Sequence, residues 1–344
     1  MLYILLILLL LLMFMAFFED YLSERDRLWL FIGTATVMAL VAGFRPDGVD
    51  KDYDNYVRFY YSFDFTTEIS YILIAQLVRT TIDDVSAVFA IYAFLTLTLI
   101  ATAIKKISPW LLSSLLIYLS QNYMLHGMTQ IRVAVASAIF LLALPALLRG
   151  ERVKYLLFIL CAILFHYTSV VYLFFAVLSG KELKGLWTYI WIGIIPVCMI
   201  LSALHINLIT MIPIPYFEEK LKAYEILMSQ GEGSEINPFN AVLLVRVAMV
   251  AFVVWKIKLM RTFSPYVDLL LKIEIIGLCT LLLLTAIPVV AFRISEMICV
   301  VEIMLYPLFA ITVKPRWAGK ATVMLIAAAF FYITVFYNKT MLIV

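Results

Sequence analysis

Residues 149–184, RGERVKYLLFILCAILFHYTSVVYLFFAVLSGKELK, hold one apolar run with basic residues at both ends. Short basic loops stay in the cytoplasm, so both ends of this run belong on the inner side. The apolar part, residues 153–179, therefore enters the membrane and returns. About 27 residues are too few for two full spans at 1.5 Å of rise per residue. Two half-helices meeting near Phe165-His166-Tyr167-Thr168-Ser169 satisfy both requirements. Non-helical backbone at membrane depth is tolerated only where protein or a water-filled cavity satisfies it, so a broken helix with His166 at its tip points to a functional site. The alternative is a single long tilted span with KELK outside, which demands one more crossing downstream.

Working outward, runs of spanning length fall near residues 2–18, 28–43, 84–104, 110–125, 131–148, 186–205, 239–255, 267–287, 292–312 and 319–337. Lysine and arginine concentrate in Lys105-Lys106, RGERVK, KIKLMR (256–261) and KPRWAGK (314–320), which places these loops inside. The two long connections, 44–83 and 206–238, are rich in Asp, Glu, Tyr and Asn and belong outside, the first with an interfacial helix. Both termini then lie on the external side. The expected fold class is all-α: a polytopic integral membrane protein of about 10–12 transmembrane helices, one transmembrane domain over residues 1–344.

Composition agrees. Of 344 residues, 65% are hydrophobic and 14% charged, against about 45–50% apolar and about 25% charged in soluble domains. No soluble catalytic domain fits. The net charge of +3 is scattered over short loops and suggests no nucleic-acid partner. Cys161, Cys198, Cys279 and Cys299 sit in apolar runs without CxxC or Cys/His spacing, so neither a metal site nor a disulfide framework is indicated. The first run lacks a basic n-region and a cleavage site and reads as a retained span. HExxH, Walker A, GxSxG and GxGxxG motifs are missing from any sensible context, and no cofactor is expected.

The candidate chemistry clusters externally. The segment FRPDGVDKDYDNYVRFYYSFDFTTE (44–68) mixes Arg45, Asp47, Asp50, Asp52 and Asp54 with Tyr53, Tyr56, Tyr60 and Tyr61. Aromatic faces stack on the CH faces of sugars, and carboxylates accept hydroxyl protons or act as general bases. The bland alternative is an interfacial tyrosine belt with solvated acids. Arg132, Arg246 and Arg293 sit inside spans near the external face, where charges are expensive and face a cavity. Arginines converging there with Arg45 suit a phosphate or diphosphate, which guanidinium grips bidentately. A local pair with Glu296, one turn on, is the structural alternative for Arg293, and a structural role is slightly favoured for Arg246. Glu302, nine residues from Arg293, falls on the opposite helix face and needs a different partner. Of three histidines, His166 stands out because of the broken helix. His126 and His205 read as packing residues.

Four segments, GFRPDGVDKDYDNYVRFY, QIRVAVASAIFLLALPAL, LLFILCAILFHYTSVVYLFF and FRISEMICVVEIMLYPL, together resemble the EpsG family of Wzy-type polysaccharide polymerases, which includes bacterial O-antigen polymerases. The resemblance covers about residues 40–310 in order. It implies a GT-C-like glycosyltransferase of the bacterial inner membrane with its active site facing the periplasm. The enzyme would move a growing glycan from undecaprenyl diphosphate to an undecaprenyl-diphosphate-linked repeat unit, with inversion. Implied partners are these donor and acceptor lipids, membrane lipids and a chain-length-determining membrane protein. By position in the motifs, Arg45, Arg132 and Arg293 would hold the diphosphate; Arg246, Gln130, Tyr53 and Tyr56 are further candidate diphosphate or glycan ligands. Asp50 or His166 would take the acceptor proton. Lys51 stands where the family often has Tyr, with Tyr53 later, so Asp50 and Asp52 are both candidates. A lipid-linked oligosaccharide flippase is the competing class, weakened by the lack of a repeated pair of interrupted segments.

Overall fold

The computed structural model describes residues 1–62, 67–206, 236–338 and 340. Among these the chain is helical throughout, with no strand. Most of the expected external connection 206–238 lies outside the described residues, as do residues 63–66 of the first one.

Among the described residues, six helices are long and apolar enough to cross a membrane: Glu24–Gly43, Val85–Ile107, Ile131–Leu148, Leu186–Ala203, Pro288–Ile311 and Arg316–Tyr337. Leu2–Phe17, Ile69–Thr81 and Tyr167–Val177 are shorter apolar helices. The chain is a multi-pass membrane protein, and two of its apolar runs are interrupted. The 110–125 run changes from the α-helix Leu111–Tyr118 to a π-helix over Leu119–Thr129, and the 153–179 run breaks. Large apolar side chains face outward along Leu2–Phe17, where Tyr3, Ile7, Leu10 and Phe14 are all exposed. An exterior of that kind is stable against lipid, not water.

The chain packs as two compact units. The first comprises Met1–Ser179, Thr262–Ser264 and Glu302–Val344. Its helices are α1 (Leu2–Phe17), α2 (Glu24–Gly43), α3 (Tyr53–Tyr61), α4 (Ile69–Thr81), α5 (Val85–Ile107), α6 (Leu111–Tyr118), α7 (Ile131–Leu148) and α8 (Arg152–Phe165), followed by shorter turns and Arg316–Tyr332. Side chains close the orphan N–H groups at helix starts. Ser23 Oγ accepts from Asp26 N at α2, and Asp84 Oδ1 accepts from Ser86 N at α5. The buried Glu19 carboxylate accepts from Leu112 N and Ser113 N at the start of α6, with Lys320 Nζ 3.7 Å away. Where α2 ends against α5, a Cβ on Gly43 would come 2.8 Å from the Ala90 Cα, so only glycine lets the two backbones approach this closely.

The hairpin is present. Helix α8 ends at Phe165, His166 is extended (φ −154, ψ 117), and a 3₁₀ helix runs over Tyr167–Val177. Tyr155 Oη donates to the Tyr172 carbonyl at 2.6 Å. That contact forces the chain to reverse, because the ten residues of α8 beyond Tyr155 extend about 15 Å. The Tyr172 ring stacks on Phe140 of α7 at 4.0 Å and anchors the returning limb.

The second unit comprises Gly180–Arg261 and Pro265–Val301. The KELK segment is tied to the end of Ala241–Arg261: Arg261 is ion-paired with Asp268 at 2.7 Å and donates to the Leu183 carbonyl, and Leu183 N donates to Asp268. Lys272 Nζ donates to the Lys181 carbonyl. KELK and KIKLMR therefore share one end of this unit, as the charge reading requires.

Candidate active site

Helix α3 has aromatic side chains at the spacing of one face. Tyr53, Tyr56 and Tyr60 are buried, while Asp54, Asn55 and Arg58 are exposed. The buried face packs on α5: Tyr53 stacks on Phe89 at 4.8 Å, and Tyr56 meets the same ring edge-on. Tyr71 Oη donates to the Tyr56 carbonyl at 2.7 Å and ties α4 to α3.

Before α3 the chain makes a turn in which Gly48 has φ +71, a value that favours glycine. Arg45 and Asp50 close this turn. Arg45 Nε donates to Asp50 Oδ2 at 2.6 Å and Nη1 to the Ala42 carbonyl at 2.9 Å. The second carboxylate oxygen, Oδ1, accepts from Asp52 N, and the guanidinium lies 4.2 Å from the Phe89 ring centre. Both side chains are wholly buried. Burial raises the Asp50 carboxyl above its ordinary value, and the opposing Arg45 charge only partly offsets it. Burial together with Asp47 pushes Tyr53 up to about 12, so its hydroxyl remains a neutral hydrogen-bonding group. Asp52 takes the N-cap position of α3.

After α3 lies a second cluster, built from three distant segments. Glu68, at the N-cap of α4, is 4% exposed. One carboxylate oxygen pairs with Arg132 Nη1 near the start of α7. The other lies 2.7 Å from His166 Nδ1, at the break after α8. Burial alone would raise the Glu68 carboxyl, yet the hydrogen bond from His166 and the Arg132 charge outweigh it and hold the group below the ordinary carboxylate range. An ionised Glu68 accepts only, so His166 Nδ1 is the donor in this bond. The Arg132 guanidinium is boxed by Tyr56, Phe59 and Tyr71, with ring centres 5.4–6.0 Å away. Its Nε is buried without a hydrogen-bond partner among the described residues.

Thus the sequence-read candidates separate into groups. Arg45 and Asp50 pair with each other, and Arg132, His166 and Tyr56 gather around Glu68. Gln130 precedes α7 and has a buried Oε1 without a partner among the described residues. Arg246 and Arg293 belong to the second unit, where Glu296 is within electrostatic reach of both. Glu302 belongs to the first unit and bonds to Gln121 and Tyr306, the separate partner its helix position demanded. Sequence reasoning missed Glu68. The signal was its position, as an acid three residues after the aromatic stretch FDF and directly before an apolar helix, where a carboxylate suits the helix N-terminus. His126, read as a packing residue, is buried with both ring nitrogens unpartnered among the described residues.

The EpsG family model matches residues 28–343. No curated protein and no solved structure matches the chain.

Proposed function

Because the chain belongs to the EpsG family, which includes Wzy-type polymerases, we propose that it polymerises a polysaccharide on a membrane lipid carrier, and that Glu68, His166 and Arg132 form its reaction centre. In this reading it transfers a growing glycan from undecaprenyl diphosphate to the sugar of an undecaprenyl-diphosphate-linked repeat unit, at the periplasmic face of a bacterial inner membrane. The observation that carries the reading is the joining of Arg132 and His166 through one buried carboxylate, across 64 and 98 residues of chain.

The chemistry follows from the groups. His166 Nε2 takes the proton of the acceptor hydroxyl as its oxygen bonds to the anomeric carbon of the donor. Glu68 holds the imidazole in the required tautomer and offsets the imidazolium charge that forms. The bond from the anomeric carbon to the diphosphate breaks, and the departing oxygen gains negative charge. Arg132 donors not engaged by Glu68 stabilise that charge. A single displacement of this kind inverts the anomeric centre. Asp50, with both oxygens occupied inside the Arg45 turn, holds α3 in place in this scheme. Asp52, also a sequence candidate for the base, takes the N-cap position of α3 one turn before Tyr56 and donates its N–H to Asp50.

The test is polymerisation by the purified full-length protein in vesicles, with no ion gradient, on lipid-linked repeat units extracted from cells in which the gene is deleted. Ladders of several repeats are expected, together with release of lipid diphosphate. Movement of intact lipid-linked units across the bilayer without any lengthening would overturn the enzyme reading in favour of transport.

A further inference from the structure

Tyr118, Asn122, His126 and Gln130 recur every four residues through the turn between α6 and α7. Residues 119–129 form a π-helix, closed by a bond from Gln130 N to the Leu125 carbonyl at 2.7 Å. Its wider turn keeps residues four apart on one face. Each of the four leaves a buried polar atom without a partner among the described residues: Tyr118 Oη, Asn122 Oδ1, both ring nitrogens of His126, and Gln130 Oε1. His126 is 1% exposed and Asn122 is 8% exposed. Gly127 adds no side chain over the Tyr118 hydroxyl, since a Cβ there would sit 3.0 Å from it.

Buried polar groups carry a desolvation cost unless something bonds to them. One such atom is an ordinary exception; several on one π-helix, Gln121 Oε1 among them, leave a cost that a hydrogen-bonding ligand would relieve. The atoms also state the ligand's chemistry. Two are amide carbonyl oxygens, which need a donor. A diphosphate offers none, whereas a sugar hydroxyl both donates to them and accepts from Tyr118 or His126. The stripe runs into α7 two residues before Arg132, and His126 lies within electrostatic reach of His166.

Resting on the polymerase reading above, we propose that this π-helical stripe binds the hydroxyl groups of the acceptor sugar and presents one of them to His166. The site is thereby divided: charged groups from α4, α7 and the broken helix serve the reacting bond, and neutral groups of the π-helix recognise the glycan.

The experiment uses the full-length protein in vesicles with lipid-linked repeat units extracted from deletion cells, and compares H126L, N122L, H126Q and E68Q. H126L and N122L replace unsatisfied polar atoms with apolar ones, so Tm is expected to hold or rise while KM for the acceptor rises tenfold or more. H126Q, which keeps a donor and an acceptor, is expected to lose less. Unchanged KM in both Leu variants, with E68Q inactive, would overturn the stripe and leave the polymerase reading standing. If H126L does not accumulate, N122L decides on the same criterion. Failure of the unaltered protein to lengthen any glycan would overturn the polymerase reading, and the sugar assignment with it.

Discussion

The two ends of the nine-residue helix α3 carry the same kinds of charge in different settings. At its start, Arg45 and Asp50 are five residues apart and wholly buried, with both Asp50 oxygens bonded and Arg45 Nη2 without a partner among the described residues. At its far side, Glu68 bonds to residues 64 and 98 positions away, and Arg132 and His166 each keep 20% of the side chain exposed. A local, sealed ion pair shapes a turn. A long-range, partly open one needs the whole fold to exist and leaves lone pairs and N–H groups for a ligand. The contrast is the reason the proposed reading gives the first pair a structural role and the second a chemical one.

The largest expected effect tests the open cluster directly. H166A and E68Q should each lower polymerisation by about 10²–10⁴-fold, the range for loss of a positioned acid or base, with the protein still folded. Turnover of purified variants checks this, and full activity of H166A would break the contrast. D50A attacks the sealed pair. It strands the Arg45 charge inside the protein and should cost about 3–5 kcal/mol of stability, read as lost accumulation and a lower Tm. The double variant R45M/D50L removes both charges and should recover much of that loss, along with activity. A D50A protein that stays stable yet is inactive would instead move Asp50 into the chemistry.

Smaller effects sharpen the comparison. R132K keeps the charge but loses the planar fork, so turnover should fall about tenfold, with little change in Tm. Glu68 is held below its ordinary value of 4.5. Its contribution to stability is therefore complete above pH 4.5 and lost as pH falls through the lower value in the folded protein. Thermal melts across the acid range should show a steeper decline for the unaltered protein than for E68Q. Y155F removes the bond closing the hairpin and should cost about 1 kcal/mol, visible as a small drop in Tm.

The broken helix was legible because it follows from two local facts, basic flanks at both ends and an apolar run too short to cross twice. Arg132 and His166 were legible as unusual residues in apolar surroundings. Their common partner was not. Glu68 looks like one acid among several in 44–68, and no periodicity links it to either residue. The π-helical stripe was hidden for a related reason: Asn122, His126 and Gln130 look like ordinary turn residues until burial shows that their polar atoms lack partners.

Hydropathy, charge asymmetry and residue order are properties of short windows of chain, and they suffice to read a helical, multi-pass membrane protein, the reversal at His166 and the family. Packing adds that Asp50 is sealed by Arg45, that Glu68 joins Arg132 to His166, and that His126 is buried with its ring nitrogens without a partner among the described residues. Such outcomes depend on which side chains compete for the same space and the same hydrogen bonds, and that competition begins only when distant helices pack.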